Sequence, residues 1–454
     1  MRSSPCALIG ERMLVSQCSL CVILVALTVG LPLEAIAQVA DLPLSLETAQ
    51  RLAVDRSRQL SAQDSAIIAS REMAVAAGQL PDPVLKFGLD SWPVNGRHQF
   101  SVGGDDFTMG RVGLAQELTG RKKRALRAQR FERASETTLA EKTATVAAIE
   151  RDTALAWIDR YYLEAMAAVL AKQAEEVQLE ITAANGTYRA GRGNQADVLT
   201  AHSALAEIED RASDIERRIL TAKTALSRWV GDAGSLPLAE KPAIDSVHLD
   251  QSTLESQVSH HPEIAVFAKR EELAWADVNL AEASKRADWS VEVAYAQRGS
   301  GFSDFVSVSL SIPLQWDQKN RQDREVAAKM AMAEQAGAER EEAVRSDVSE
   351  VLAQLQEWDS NRKRLTHYQS QIIPLGQERT KAAMTAYVGG KGTISELLLA
   401  RRDEIDVRVR ALQLEMDTAR LWAQLNFLVP DIEVAAPDNN DEAQSPSTRI
   451  EAAR

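Results

Sequence analysis

Two stretches 199 positions apart constrain this chain more than any other feature. Thr187-Tyr188-Arg189-Ala190-Gly191-Arg192-Gly193-Asn194-Gln195-Ala196-Asp197 lines up with Ala386-Tyr387-Val388-Gly389-Gly390-Lys391-Gly392-Thr393-Ile394-Ser395-Glu396. Tyrosine meets tyrosine, Gly191 and Gly193 meet Gly390 and Gly392, and Asp197 meets Glu396. Self-similarity at a long fixed distance marks a duplicated unit. Gly389-Gly390-Lys391-Gly392-Thr393 invites comparison with a phosphate-binding loop, but its lysine is followed by glycine, not Ser or Thr, and no strand-like run leads into it. Each stretch ends one helical pattern and starts another. Glycine suits the left-handed residue after a helix, and the side-chain oxygen of Asn194 or Thr393 can cap the helix that follows. Both stretches therefore read as helix–helix corners.

The duplication organises the whole chain. Residues 38–236 read as a first repeat: a helix over 46–80 capped by Ser45, a β-hairpin over 83–118, a long helix over 121–190 and a return helix over 197–230. Residues 237–430 repeat the order, with a connector over 237–259, a helix over 263–285, a hairpin over 289–315, a long helix over 317–388 and a return helix over 394–428. No proline occurs between Arg121 and Tyr188, and at a rise of ~1.5 Å per residue such a helix is about 100 Å long. Pro374 should kink the second long helix. Helices of this kind need an apolar stripe that meets a neighbour. The stripes are alanine-rich: Ala140, Ala144, Ala147, Ala148, Ala154 and Ala156 in one, Ala327, Ala328, Ala331, Ala333, Ala336 and Ala338 in the other. Small residues let helices approach closely.

The ends carry different signals. Arg2 and Arg12 precede the apolar run Leu20-Cys21-Val22-Ile23-Leu24-Val25-Ala26-Leu27, and Ala35-Ile36-Ala37 supplies small residues, so 1–37 reads as a cleaved signal peptide. The cysteines Cys6, Cys18 and Cys21 all fall within it, which leaves the exported chain without disulfides or thiolate ligands. Residues 431–454 are polar and read as a disordered tail. A formal net charge of -13 argues against a nucleic-acid partner.

The four alternating segments decide between a long coiled coil and something larger. Leu85, Phe87 and Leu89 oppose Lys86, Gly88 and Asp90; Val112 and Leu114 oppose Arg111, Gly113 and Glu117. Val291, Val293 and Tyr295 oppose Glu292, Ala294 and Ala296; Val306, Val308, Leu310, Ile312 and Leu314 oppose Ser307, Ser309 and Ser311. One apolar face and one small or charged face over about ten residues is what a strand of an outer-membrane barrel requires. Trp289 and Trp316 bracket the second hairpin like an interfacial belt. Four strands cannot close, since the smallest barrels have about eight, and open edges in lipid cost several kcal/mol per backbone group. The wall must be shared, and three copies give twelve strands. An ordinary soluble hairpin remains the alternative for either pair taken singly.

This order of elements, with its Tyr-x-x-Gly corners, resembles the TolC-like outer-membrane efflux factors over about Leu42 to Pro430. The stretches 80–94, 105–134 and 188–211 look closer to the CzcC-like and CusC-like components of heavy-metal efflux systems. The resemblance implies a mainly α chain with a small β part: a trimeric 12-stranded outer-membrane β-barrel continued by a periplasmic α-helical coiled-coil barrel. It implies a homotrimer in outer-membrane lipid, a periplasmic adaptor, an inner-membrane pump, no cofactor and no catalysis. By the same resemblance, Asp197, Tyr387, Lys391, Glu396 and Arg401 belong to the periplasmic gate, with Arg402 and Asp403 as further candidates. Gly191, Gly193, Gly390 and Gly392 mark the tips for adaptor docking. Three copies of Glu396 would form a ring attractive to cations. Gly392 stands where the family often has a basic gate partner, and Leu399 where a second acidic ring can occur.

Other chemistry finds little support. His260-His261 precedes Pro262 at a helix start without a zinc-like ligand spacing. Met109 shares the strand face of Arg111, and a lone methionine is more often packing than a ligand. No nucleophile elbow or HExxH occurs. Two classes remain: a trimeric export conduit, for metals, drugs or secreted proteins, and a periplasmic structural coiled coil.

Overall fold

The longest helix sets the frame. In the computed structural model, which describes residues 43–430 except 105, 248, 250–256, 259 and 300, α3 runs unbroken over Arg121–Arg189. The other elements are α1 (Leu46–Arg56), α2 (Arg58–Ala77), β1 (Val84–Asp90), β2 (Met109–Leu118), α4 (Gln195–Val230), α5 (Pro262–Ser284), β3 (Trp289–Arg298), β4 (Phe305–Ser311), α6 (Gln322–His367), α7 (Ile373–Val388) and α8 (Ile394–Asn426). The signal-peptide segment 1–37 and the tail 431–454 lie outside the described residues, as does part of the connector.

Seven-residue periodicity explains the helical pairing. On α4, Ala201, Ile208, Ile215 and Ala222 are buried one heptad apart, and Val198, Leu205, Ala212 and Ile219 pack beside them three residues earlier. That is an a/d seam. α3 answers with Met166, Leu170, Val177, Ile181 and Ala184. α7 packs on α8, with Thr380 its buried residue, and α8 also packs on α3 and α6. At mid-length, Trp157 donates its indole N–H to Leu44 O at 2.9 Å and Arg160 donates to Gly234 O at 2.8 Å. These bonds fasten α3 to a parallel bridge between Leu44 and Leu238 and to the 3₁₀ turn Gly231–Ser235.

Several local expectations need correction. The helix expected over 46–80 is two helices, because Ser57 is extended (φ -68°, ψ 111°) and its hydroxyl accepts from Leu60 N. A serine that bonds nearby backbone competes with continuous helix. α2 then stops at Ala77, short of Leu80, ahead of Pro81 and Pro83. The second long helix begins at Gln322 instead of 317, after a turn in which Asp317 accepts from the Asn320 amide. It is also interrupted by one π turn, Tyr368–Ile372, immediately before Pro374. Widening the helix there makes room for a ring that would otherwise strike the preceding turn. Finally, of the second alanine stripe only Ala333 is buried; Ala327, Ala328, Ala331 and Ala338 are exposed on α6.

The four strands form one antiparallel sheet in the order β1-β2-β3-β4. The two hairpins join through a ten-residue ladder from Met109↔Arg298 to Leu118↔Trp289. The fold is thus mainly α with a small four-stranded β part.

Candidate channel wall and hairpin corners

Register sorts the sheet into two faces, since side chains alternate along every strand. Leu85, Leu114, Val293 and Val308 stand in one cross-strand row; Phe87, Val112, Tyr295 and Val306 stand in the next. With Leu89, Val291 and Leu310 they make a largely apolar face, in which Gln116 and Gln297 are the polar members. It is bare: Phe87 is 82% exposed and Val308 71%. A patch of this kind calls for lipid or another protein. Ile312 and Leu314 do not extend it as strand residues, because β4 ends at Ser311 and Pro313 cannot donate to a ladder. Both are nevertheless exposed, as are Trp289 and Trp316.

The opposite face carries Lys86, Asp90, Arg111, Glu117, Glu292 and Arg298 among small residues: Gly88, Gly113, Ala294, Ala296, Ser307 and Ser309. Glu292 accepts from Lys86 Nζ at 2.7 Å and from Arg111 Nη2 at 2.6 Å; Arg111 also reaches Asp90 at 3.5 Å. Met109 lies on this face, half-buried, opposite Asp90 and Arg298. Among the described residues the outer edges of β1 and β4 have no strand partner.

The corners at the other end of α3 and α7 are built alike. Gly191 has φ +69° and Gly390 φ +67°, the left-handed conformation that a side chain would strain. Arg192 N and Gly193 N both donate to Thr187 O, just as Lys391 N and Gly392 N both donate to Ala386 O. A Cβ on Gly193 would lie 3.0 Å from Thr187 Oγ1, and one on Gly392 3.1 Å from Ala386 Cβ. Each following helix opens with a capping box: Asn194 with Asp197, and Thr393 with Glu396.

The expected gate residues therefore divide. Asp197 and Glu396 are bound into these boxes, their carboxylates accepting from Asn194 N at 3.3 Å and Thr393 N at 2.9 Å. Tyr387 is half-buried against the core, and no bond joins it to Asp197 within the described residues. Lys391 is exposed at the tip. Arg401 points back at α3, where Nη2 donates to Glu180 Oε1 at 2.8 Å, Nε to the same oxygen at 3.2 Å, and Nη1 to Glu176. Glu180 Oε2 is buried with no partner among the described residues. Burial pushes the Glu180 carboxyl above its ordinary range, Arg401 pulls it down, and Glu176 pushes it up again. Asp403 pairs with Arg379 at 2.7 Å and Arg402 with Glu207 at 3.5 Å, so these charges link neighbouring helices. Leu399 is exposed beside them, lining a groove with Val177 and Ile208.

Sequence reasoning missed the partners of Arg401 and of Glu292. The signals were present: Glu180 interrupts an apolar heptad seam, and opposite charges occupy same-parity positions on adjoining strands. His261 is buried, 3% exposed, with Nδ1 2.8 Å from Asp347 Oδ2, which ties the start of α5 to α6. Among the described residues no group of three or more His, Cys, Asp or Glu side chains is placed to hold a metal ion, and no helix is long and apolar enough to cross a membrane.

No protein-family model matches the sequence, and no curated protein does. Solved structures do. The outer-membrane channel OprN is 17% identical, with a TM-score of 0.71 over 85% of this chain and 90% of that one. CusC, a protein that forms a transmembrane channel, is 15% identical, with a TM-score of 0.70 over 85% and 93%. The CmeC outer-membrane channel of Campylobacter jejuni is 11% identical, with a TM-score of 0.70 over 86% and 87%. The likeness to CusC does not exceed the others, so the heavy-metal branch is not singled out. A four-stranded antiparallel sheet set on long helical hairpins is the fold of the TolC-like outer-membrane channels, and this chain has it.

Proposed function

We propose that the chain is the outer-membrane channel of a tripartite efflux system and works as a homotrimer. One observation carries the reading: a four-stranded sheet with a bare apolar face, a charged opposite face and two edges that have no strand partner among the described residues. Lipid satisfies the first face, a water-filled lumen the second, and identical neighbours the edges, which closes twelve strands without an open rim. The exposed alanines of α6 suit close packing against a neighbouring copy. On this reading 1–37 is a cleaved export signal, and residues 38–236 and 237–430 are two repeats that each give one hairpin to the barrel. The helical part lies in the periplasm of a Gram-negative cell. The tips at Gly191, Gly193, Gly390 and Gly392 dock a periplasmic adaptor joined to an inner-membrane pump of the resistance-nodulation-division class.

The gate comprises Asp197, Tyr387, Lys391, Glu396 and Arg401, and transport through it is passive. The proposed cargo is a heavy-metal cation, supported by the three stretches resembling that branch and by the carboxylates Asp197 and Glu396 beside the corners.

Fractionation and channel recording test the assembly. The protein should pellet with outer membrane, resist carbonate extraction and cross-link as a trimer. Recovery as a soluble periplasmic monomer would instead favour the structural coiled coil. In planar bilayers Asp197→Ala and Tyr387→Ala should raise conductance; unchanged conductance in both rejects their gating role. Deletion of the gene should sensitise cells to copper, silver, zinc, cobalt or cadmium. Sensitivity to drugs alone would overturn the metal assignment and leave the channel standing.

A further inference from the structure

The geometry points to Glu292 as the residue that sets the charge selectivity of the barrel wall, an inference that rests on the channel reading above. Four charges on the polar face are joined by ion pairs, Lys86 and Arg111 against Glu292 and Asp90, the last at the end of β1. Glu292 is the keystone. Its Oε2 accepts from Lys86 at 2.7 Å and its Oε1 from Arg111 at 2.6 Å, whereas Asp90 meets Arg111 alone, at 3.5 Å.

The backbone around this cluster is arranged to permit it. Lys86 is on β1 and Glu292 on β3, so the lysine side chain must pass across β2. The residue directly opposite Lys86 is Gly113, which faces Ala294 in turn. A Cβ on Gly113 would lie only 2.8 Å from Ala294 Cβ. The passage is open because this position has no side chain. Neighbouring positions on the same face are Gly88, Ala115, Ala296, Ser307 and Ser309, which raise nothing above the four charges.

The other two polar-face charges, Glu117 and Arg298, are of opposite sign and lie outside these ion pairs. Glu117 accepts from Thr119, and Arg298 donates to the Ser303 and Asp106 carbonyls while stacking 4.8 Å from Phe305. They offset each other and leave the balance of the four unchanged. In each chain that balance is two cations against two anions. Removing Glu292 leaves one net positive charge per chain, and three in a closed trimer. A charge facing water from a low-dielectric wall changes the local concentration of permeating ions. The wild-type cluster therefore lets cations pass a wall that would otherwise repel them.

Reversal potentials of full-length protein in neutral-lipid planar bilayers under a KCl gradient test this. For Glu292→Gln the cation-to-anion permeability ratio should fall about threefold near 0.1 M salt and recover near 1 M, where the Debye length shrinks from ~10 to ~3 Å. Lys86→Gln should move the ratio the opposite way. The double variant Lys86→Gln/Glu292→Gln, again balanced by Arg111 and Asp90, should return to the wild-type value. That return separates charge from a structural role, because the double variant lacks the brace and keeps the balance. If Glu292→Gln fails to insert, Lys86→Gln carries the test alone. A wild-type channel whose ratio is unmoved by these substitutions overturns the inference and leaves the channel reading intact. A wild-type protein that forms no conductance overturns both.

Discussion

Replacing Arg401 by alanine strips a buried carboxylate, Glu180, of the one cation that pairs with it among the described residues. Arg401 gives two N–H donors to Glu180 Oε1, and the two side chains are 14% and 2% exposed. Breaking a buried pair by removing one partner costs ~3–5 kcal/mol. Arg401 is not fully enclosed, so the lower end, about 3 kcal/mol, is expected here. The bond to the more exposed Glu176 adds at most ~1 kcal/mol.

The loss should depend on pH. Burial already holds the Glu180 carboxyl above its ordinary 4.5, and Arg401 is the group that draws it down. Without Arg401 it rises further. A carboxyl raised in the folded state stabilises the fold below its unfolded value and loses that contribution as pH climbs through the folded value. The deficit of Arg401→Ala relative to wild type should therefore be small near 4.5 and grow toward neutrality. Arg401→Ala/Glu180→Gln, which has no buried charge to strand, should recover about 2 kcal/mol at neutral pH. The assay is amide hydrogen exchange in α3 around 176–184 and in α8 around 398–405, as protection factors corrected for intrinsic rates. About 3 kcal/mol corresponds to roughly a hundredfold loss of protection. A loss that is flat with pH and unrelieved by Glu180→Gln would refute the reasoning.

Two further outcomes test the corners and the sheet. Thr393→Ala removes the hydroxyl that accepts from Glu396 N, costing ~1 kcal/mol, and should speed exchange at the start of α8; Glu396→Gln keeps an acceptor for Thr393 N, so it should change conductance with little effect on exchange. Gly113→Ala should lower the temperature at which the oligomer dissociates on a gel, since overpacking costs ~1–3 kcal/mol; adding Ala294→Gly, which removes the methyl group 2.8 Å away, should restore it.

Much of the architecture was legible because it rests on short periodicities. Alternation in Val306-Ser307-Val308-Ser309 assigns faces without any knowledge of register, and the structure keeps those faces. The Tyr-x-x-Gly corners carry their own capping residues, so Asn194 and Thr393 were identifiable before any tertiary contact was known. What was not legible depends on residues far apart in the chain. Arg401 looked like a tip charge, yet its partners are more than two hundred positions upstream. The α6 alanines looked like an internal seam, but small residues suit an internal and an external helix face equally, and most of theirs is external. Ser57 broke a helix whose apolar spacing runs on through it, because a side-chain bond to nearby backbone leaves no trace in hydrophobic periodicity.

The single π turn at Tyr368–Ile372 has a consequence for sequence drift. It holds one residue more than an α-helical turn, so every side chain after it is rotated by about 100° from where an uninterrupted helix would aim it. Before the turn Val351, Trp358 and Leu365 are buried seven residues apart; beyond it Thr380 and the half-buried Tyr387 continue that spacing one position later, a shift the surplus residue accounts for. Deleting one residue there would bring the Pro374 ring back against the preceding turn and aim the final four turns of α7 away from α8 all the way to Gly389.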